Sequence, residues 1–390
     1  MPKIIKEIPY SRQVLDHKDI KAVNLALTND FITQGPKVSE FEKKIAKIVK
    51  SKYAISVNSA TSALHLCCLA IEIKKNDIVW TTPNSFVASA NCALYCGAEI
   101  DFVDIDTKTR NMSLNLLEEK LIISKKQNKL PKAIIPVHFS GNPVDMEQLL
   151  KIVKKFGDIK IIEDASHALG AKSSEINIGS CKFSDLTVFS FHPVKMITTA
   201  EGGMVTTNNK KLADIILMLR SHGIERKKQK LLNNNFLSNQ HPIYYEQHLL
   251  GYNYRMPDIL ATLGTSQADK LNSFVESRNI IAEYYYKMFS NSSLILPEIN
   301  KKDISSFHLY VIEVKKNRNR ILNTLRNKGI LASIHYIPIH FHPYYQKLGF
   351  KLGDFPNSEK YYANCISIPI YPKLKREDQD FVIEQVLNLI

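Results

Sequence analysis

The chain has 390 residues, of which 44% are hydrophobic and 23% are charged, as is usual for a globular protein with room for two domains. The net charge is +14 and the pI is about 9.3, but the lysines are scattered and no basic run alternates with aromatic residues. We therefore expect no nucleic-acid partner, although the positive field would attract an anionic small molecule.

Three further classes are disfavoured by the sequence. No stretch approaches the ~18 consecutive apolar residues that a membrane span needs, and the first residues show no secretory signal. The six cysteines have neither disulfide nor zinc spacing. We expect a cytoplasmic protein without a membrane segment or a bound metal.

The first predicted element is a helix over Asp16–Asn29, with Asp16 as N-cap and with Ile20, Val23 and Leu27 on one face. From about residue 53 to 207, short apolar runs alternate with helical stretches. The runs are continuous, as in strands buried on both faces of a parallel sheet. They are Ile78–Thr81, Ala133–Val137, Ile159–Ile162 and Thr187–Phe191, and the intervening helices include Ser59–Ile71 and Lys210–Leu219. This alternation predicts a doubly wound α/β domain.

The second half of the chain differs in kind. Glu225–Leu249 is polar and asparagine-rich and is predicted to be a long functional loop. The elements predicted after it are a helix over Met256–Tyr285, strands over Ser305–Val314 and Ile330–Ile337, and helices over Arg318–Lys328 and Arg376–Ile390. We assign residues 1–255 to a large α/β domain and residues 256–390 to a linking helix with a small α+β domain.

Two strand ends carry residues with chemical potential. Lys195 follows the strand that ends near Phe191, and Asp164 ends the strand before Ala165. Ligands of open α/β sheets bind at the carboxyl ends of strands, which places both groups at the same edge. Taken alone, Lys195 could be a solvated lysine and Asp164 an N-cap. His167, three residues after Asp164, could equally be structural.

Two other strand ends complete the set. Ser59–Ser62 opens a helix, and the free N–H groups there could hold a phosphate or could form an ordinary cap. Phe86 follows the strand ending at Thr81 and could stack on a flat cofactor or belong to the core. An amine, a carboxylate, a phosphate cradle and an aromatic ring at one sheet edge together favour pyridoxal phosphate.

The motifs resemble those of a known family in order and spacing. Asn58–Leu64, Glu163–Gly170, Ser190–Lys195 with Thr198–Gly203, and Gly251–Met256 are similar to the DegT/DnrJ/EryC1/StrS nucleotide-sugar aminotransferases. The resemblance covers nearly the whole chain and implies the fold type I of pyridoxal phosphate-dependent transferases. Residues from Ile8 to Tyr10, Ser85–Asn91 and His335–Pro338 resemble the branch that acts in pseudaminic acid biosynthesis.

The resemblance also implies roles for the residues. Lys195 would form a Schiff base with the cofactor and later move a proton, and Asp164 would bind the pyridine nitrogen. Phe86 would lie on one ring face and His167 near the other. The phosphate would be held by Ala60, Thr61, Ser62 and Ser190. Asn253 would come from the partner subunit of a homodimer with shared active sites.

The implied reaction moves an amino group from L-glutamate to C4 of a UDP-linked 4-keto-6-deoxy-N-acetylhexosamine, with L-altro configuration expected. The sugar nucleotide would be contacted by Ser190 and Asn253 together with Tyr10, Asp30, Phe31, Ile32, Thr33, Ser333, Ile334, His335 and Tyr336. Two positions depart from the family pattern, since His167 stands where many relatives have glutamine and Ser11 where glycine is expected.

Three alternatives stay open at this point. Family members that dehydrate sugars have histidine in place of the lysine, so Lys195 argues against that activity. An aminotransferase for a bacillosamine or perosamine precursor would share the same motifs. A regulatory protein of this fold would need a DNA-binding segment, and no helix-turn-helix precedes residue 53.

Overall fold

The computed structural model describes residues 6–28, 31–226, 230–232 and 243–390. The strands are β1 (Ile8–Pro9), β2 (Tyr53–Val57), β3 (Ile78–Thr81), β4 (Glu99–Phe102), β5 (Ala133–Ile134), β6 (Lys160–Asp164), β7 (Lys172–Ser173), β8 (Ile176–Asn177), β9 (Leu186–Ser190), β10 (Gly203–Thr207), β11 (Ile224–Glu225), β12 (Glu246–Gln247), β13 (Tyr310–Glu313), β14 (Ile330–Leu331) and β15 (Cys365–Ile368).

The α-helices are α1 (His17–Leu27), α2 (Pro36–Val49), α3 (Ala60–Ala70), α4 (Ala88–Tyr95), α5 (Leu114–Lys126), α6 (Met146–Val153), α7 (Lys210–Arg220), α8 (Asp258–Ala268), α9 (Leu271–Phe289), α10 (Arg318–Asn327), α11 (Pro343–Gln346), α12 (Pro356–Asn364) and α13 (Arg376–Leu387). Short 3₁₀ turns occur at Phe139–Gly141, Lys154–Phe156 and Ile339–Phe341.

A seven-stranded sheet, in the order β2-β10-β9-β6-β5-β3-β4, forms the centre of the large α/β unit. The pairs β3–β4, β3–β5, β5–β6 and β6–β9 are parallel, and β10 runs antiparallel to both of its neighbours. The carboxyl ends of β2, β3, β6 and β9 therefore meet at one edge, where β10 begins. This mostly parallel sheet with flanking helices is the fold class that the sequence predicts.

The continuous apolar runs are explained by burial on both faces of the sheet. Successive side chains of a strand point to opposite faces, and Ile161 and Ile162 of β6 accordingly pack into two different hydrophobic clusters. One of these clusters contains side chains of α3, α4 and α7, and the other contains those of α5 and α6. Helices therefore cover both faces of the sheet.

The C-terminal part has its own apolar cluster, built around β13, β15, α9, α10 and α13. The N-terminal strand β1 joins this part, because Ile8 and Pro9 pair in parallel with Ile330 and Leu331 of β14. The chain start therefore lies against the C-terminal part, which positions the following residues beside the sheet edge. The division at residues 255 and 256 stays a prediction.

Several predicted elements differ in extent from the observed ones. The predicted helix over Met256–Tyr285 is two helices, since α8 ends and α9 begins around Lys270. The first helix ends with backbone hydrogen bonds between residues three apart, from Asp269 N–H to the Ser266 carbonyl and from Lys270 N–H to the Gln267 carbonyl. The predicted strands over Ser305–Val314 and Ile330–Ile337 shrink to β13 and β14, because the residues flanking them turn toward the sheet edge.

The face of α1 that carries Ile20 and Leu27 is exposed, at 58% and 56%. Asp19 and Ala26 are the buried residues of this helix. Asp19 accepts hydrogen bonds from side chains of α8 and from Lys270. A polar network, rather than the apolar stripe, therefore fastens α1 to the rest of the chain.

The predicted loop over Glu225–Leu249 begins and ends in the short antiparallel pair β11–β12, and its residues 227–229 and 233–242 lie outside the described residues. Among the residues that are described, no helix has the length and apolar character needed to cross a bilayer. Within the same residues, no group of three or more His, Cys, Asp or Glu side chains is arranged to hold a metal ion.

Candidate active site

A cavity of about 410 Å³, open to solvent, lies at the carboxyl edge of the central sheet. Its volume lies within the range for small-molecule sites. Of the residues that the sequence predicts for the site, it is lined by Tyr10, Ala60, Thr61, Phe86, Asp164, His167, Ser190, Lys195, His335 and Tyr336. Most of the predicted constellation is thus brought together in one place.

Asp164 ends β6 with its carboxylate buried in the cavity wall, at 4% exposure. Its Oδ2 accepts a 2.6 Å hydrogen bond from the Ser89 hydroxyl, and its Oδ1 accepts a 3.1 Å bond from the Ser166 backbone N–H. The backbone N–H of Asp164 donates to the Pro136 carbonyl, and the Asp164 carbonyl accepts from the His138 N–H, in the segment that follows β5. The carboxylate therefore has a fixed orientation toward the cavity.

Lys195 lies on the turn after β9, and its side chain is half-buried in the cavity. The turn is fastened by a backbone bond from Lys195 N–H to the His192 carbonyl, and the Ser11 hydroxyl donates to the Val194 carbonyl. Burial lowers the pKa of Lys195 to about 8, although the charge of Asp164 raises it. Such a lysine has a substantial neutral fraction near neutral pH, as a nucleophilic amine requires.

The start of α3 forms a second side of the cavity. Ser59 caps the helix by accepting a hydrogen bond from the Ser62 N–H at 3.1 Å, and the two hydroxyls lie 3.0 Å apart. A Cβ at Gly203 would lie 2.5 Å from the Ser59 carbonyl group and 2.6 Å from the Ala60 nitrogen. Because Gly203 has no side chain, β10 can lie directly against this helix start. The N-terminal N–H groups of α3 are thereby presented to the cavity.

His167 is buried and its ring is fully engaged. The Ser140 backbone N–H donates to Nδ1 at 3.2 Å, and Nε2 lies 3.0 Å from the Tyr336 hydroxyl. An Nδ1 that accepts leaves the ring proton on Nε2, which donates to Tyr336. Burial and the charge of Lys195 lower the pKa of His167 well below its usual value. The ring is therefore neutral, and the Tyr336 hydroxyl is left with a proton to donate.

Aromatic and imidazole rings surround the opening of the cavity. Phe86 is 58% exposed at its rim, with its ring centroid 6.3 Å from that of Tyr336. His335 packs on Tyr10 with ring centroids 4.9 Å apart, and its Nδ1 lies 2.8 Å from the Ser367 hydroxyl. Burial and the Lys195 charge lower the pKa of His335 to about 3.

Several predicted residues do not line the cavity. Ser62 is buried in the helix cap, and Ser333 pairs through its backbone with Ser367. Phe31, Ile32 and Thr33 are exposed, Ile334 packs in a neighbouring apolar cluster, and Asn253 is exposed on the turn before α8. Asp30 lies outside the described residues.

Several cavity residues were missed by the sequence reasoning, among them His308, Ser89 and Ser85. His308 lies with its ring centroid 4.3 Å from that of His167 and is 1% exposed, and Ser89 donates to Asp164. His308 is hidden in a strand-like pattern, and Ser89 lies in a helix of small residues. The one usable signal was that Ser89 follows Phe86 by three residues, about one helical turn.

Comparisons with known proteins agree with this geometry. Residues 13–387 match the model of the DegT/DnrJ/EryC1/StrS aminotransferase family. The chain is 40% identical to an uncharacterized protein of Methanocaldococcus jannaschii, MJ1066, and 38% identical to the UDP-4-amino-4,6-dideoxy-N-acetyl-β-L-altrosamine transaminase of Campylobacter jejuni. Each alignment covers 98% of this chain and 97% of the relative.

A solved structure gives the same result at the level of the fold. The Helicobacter pylori aminotransferase PseC, involved in the biosynthesis of pseudoaminic acid, superposes with a TM-score of 0.88 at 34% sequence identity. The match covers 98% of this chain and 99% of the other.

Proposed function

Because the chain belongs to the DegT/DnrJ/EryC1/StrS aminotransferase family, we propose that it transfers the amino group of L-glutamate to C4 of a UDP-linked 4-keto-6-deoxy-N-acetylhexosamine. The family includes pyridoxal phosphate-dependent sugar aminotransferases, and the chain is an enzyme of this class. We propose the L-altro sugar, so that the product is UDP-4-amino-4,6-dideoxy-N-acetyl-β-L-altrosamine for pseudaminic acid biosynthesis. The observation that carries the proposal is the cavity shared by Lys195, Asp164 and the α3 start.

The residues of the cavity fit pyridoxal phosphate. The space that Gly203 leaves beside Ser59 and Ala60 exposes N–H groups suited to a phosphate, and the cavity residues Ala60, Thr61 and Ser190 would hold it. Asp164 would bind the pyridine nitrogen, while Phe86 and His167 would flank the ring. When bound, the cofactor supplies an electron sink that stabilises negative charge on the carbon that loses a proton.

Lys195 would move the proton in both halves of the reaction. With a pKa of about 8, its Nζ can accept a proton from the α-carbon of glutamate and later return one to C4 of the sugar. Glutamate leaves as 2-oxoglutarate before the sugar is aminated, which makes the scheme ping-pong. His167 and His335 are neutral, so neither ring competes with Lys195 as a proton donor.

The sugar nucleotide would enter from the rim. Tyr10, His335 and Tyr336 line the cavity there, and the Tyr336 hydroxyl has a proton available for a sugar or phosphate oxygen. Residues Phe31–Thr33 and Ser333–Ile334 would contact the nucleotide from outside the cavity. The net charge of +14 favours the approach of a UDP-linked substrate.

We also propose that the enzyme is a homodimer with shared active sites. The turn at Tyr252–Tyr254 lies beside the cavity of its own chain, since the Tyr254 carbonyl accepts a hydrogen bond from Asn58 N–H. Asn253 on the same turn is nevertheless exposed and does not line that cavity. Its side chain is therefore available to a second copy, where it would contact cofactor and substrate.

The proposed location is the cytoplasm. All six cysteines carry free thiols, which is typical of a reducing compartment. Nucleotide sugars and glutamate as substrates are consistent with that setting.

The substrate is tested by offering UDP-linked 4-keto-6-deoxy-N-acetylhexosamines of L-altro and D-gluco type and a GDP-linked 4-keto-6-deoxy sugar side by side, with glutamate as donor. We expect amination of the L-altro sugar to be favoured, detected as a new amino sugar by mass spectrometry and as 2-oxoglutarate by a coupled assay. Preference for the D-gluco sugar would assign a bacillosamine-type reaction, and preference for a GDP-linked keto sugar would assign a perosamine-type reaction. Either result would overturn the proposed substrate. Lys195→Ala is the inactive control.

A further inference from the structure

Ser89 and Ser85 form a hydroxyl chain that ends on Asp164. The Ser89 hydroxyl donates to Asp164 Oδ2 at 2.6 Å, and the Ser85 and Ser89 oxygens lie 2.7 Å apart. An ionised carboxylate only accepts hydrogen bonds, so the single Ser89 proton is committed to Asp164. Ser89 must then accept from Ser85, which fixes the direction of the chain as Ser85 to Ser89 to Asp164.

The hydrogen-bonded series of Ser85, Ser89 and Asp164 forms part of the wall of the cavity. Ser85, Ser89 and Asp164 all line it and are 4%, 1% and 4% exposed. The backbone N–H of Ser89 donates to the Phe86 carbonyl at 3.2 Å, so the turn that carries the exposed ring also carries the donor to the carboxylate. One segment, residues 85–89, thus carries both Phe86, which would stack on the cofactor ring, and Ser89, which orients the Asp164 carboxylate.

We propose that Ser89, supported by Ser85, is a positioning residue that sets how strongly Asp164 holds the proton on the cofactor's pyridine nitrogen. This inference rests on pyridoxal phosphate occupying the cavity, as proposed above, and it does not depend on which sugar is the substrate. The hydrogen bond from Ser89 occupies one lone pair of Oδ2 and draws charge from it. The hydrogen bond therefore reduces the negative charge that Asp164 presents to the ring nitrogen.

The direction of the effect follows from this arrangement. Without the Ser89 hydroxyl, Asp164 draws the pyridine proton toward itself, and the ring carries less positive charge. A less positive ring withdraws less electron density from the Lys195 nitrogen, which is bonded to the cofactor. That nitrogen then keeps its proton to a higher pH. The charge-assisted bonds of a buried chain also strengthen one another, so losing Ser85 should act in the same direction with a smaller effect.

The test is a spectroscopic pH titration of the enzyme loaded with pyridoxal phosphate, without any substrate. For Ser89→Ala we expect the midpoint of the visible absorption change to rise by about half a pH unit or more, and for Ser85→Ala by a smaller amount. Ser89→Thr, which keeps the hydroxyl, should titrate like the wild type. Ser124→Ala, at another buried helix serine outside the cavity, should also titrate like the wild type.

An unchanged midpoint in Ser89→Ala would overturn the proposal, as would a Ser89→Thr variant that titrates like Ser89→Ala. Circular dichroism at each pH separates these outcomes from unfolding. A wild type that takes up the cofactor but does not aminate the sugar would refute the proposed substrate and leave this titration fully interpretable.

Discussion

At the scale of single residues, the cavity combines Lys195 and the carboxylates of Asp164 and Glu201 with several neutral imidazoles. Burial, together with the charge of Lys195, lowers the pKa of His167, His308 and His335 well below the ordinary value. A histidine that was protonated beside Lys195 would repel the ammonium form and compete for the proton. Because these three rings stay neutral, they do not compete with Lys195 for a proton near neutral pH.

The pKa of Lys195 leads to a prediction about cofactor uptake. The neutral amine is the form that attacks the aldehyde of pyridoxal phosphate, and its fraction rises with pH until the pKa is passed. With a pKa of about 8, the uptake rate of the cofactor-free protein should rise about tenfold per pH unit up to that value and then level off. Stopped-flow absorbance at a series of pH values measures this, with Lys195→Ala as the control. A rate that keeps rising in the same way up to the ordinary lysine pKa of about 10.4 would contradict the lowered pKa.

A matched pair of variants tests the role of His167. Glutamine places its amide nitrogen near the position of Nε2 and can donate to Tyr336, whereas asparagine reproduces only the Nδ1 acceptor for Ser140. We expect His167→Gln to stay within about threefold of the wild-type KM for the sugar nucleotide, and His167→Asn to raise that KM about tenfold by freeing the Tyr336 hydroxyl. Steady-state kinetics at saturating glutamate decide the matter. Equal KM values for the two variants would show that the bond to Tyr336 is unimportant.

At the scale of secondary-structure elements, the site depends on how closely β10 approaches the start of α3. Gly203 pairs with Val57 of β2 and with Ser190 of β9, and a Cβ there would collide with the Ser59 backbone at 2.5 Å. Backbone atoms cannot move aside as a flexible side chain can. The glycine is therefore required by close packing at this point of the sheet.

This contact predicts a selective defect in Gly203→Ala. The new methyl group must push the first turn of α3 away from β10, which misplaces the N–H groups proposed to hold the phosphate. We expect affinity for pyridoxal phosphate to fall by more than about tenfold, while affinity for pyridoxal, which has no phosphate, changes by less than about threefold. Fluorescence titration of the cofactor-free protein with each compound measures both. A parallel loss for the two compounds would place the damage elsewhere in the cavity.

At this scale, features that depend on residues close in sequence could be predicted, and features that depend on residues far apart in sequence could not. The start of α3 was predictable because Ser59 caps its own helix through the local bond to Ser62, and β6 and β9 were predictable from continuous apolar runs. The orientation of α1 was not, because Asp19 is buried by residues about 250 positions away. The same holds for His308, whose place beside His167 depends on how the C-terminal part folds over the sheet.

At the scale of the whole molecule, exposed apolar side chains point to an interface. Leu250, just before the turn that carries Asn253, is 82% exposed, and Phe31 and Ile32 are 57% and 51% exposed. The proposed dimer interface would bury side chains of this kind. Two of the segments predicted to contact cofactor or substrate thus carry apolar residues that a single chain leaves uncovered. A second copy would cover them and bring Asn253 to the neighbouring cavity.

A shared site makes a quantitative prediction for mixed dimers. Lys195→Ala and Asn253→Ala should each be nearly inactive alone. If each site takes Lys195 from one subunit and Asn253 from the other, a mixed dimer has one intact site and one site with both defects. Random exchange of equal amounts makes about half of the dimers mixed, so the mixture should recover about a quarter of wild-type turnover. Light scattering would establish the dimer, and turnover after co-refolding of the two variants gives the recovery. A mixture that stays inactive although the subunits have exchanged would mean that each cavity is completed within its own chain.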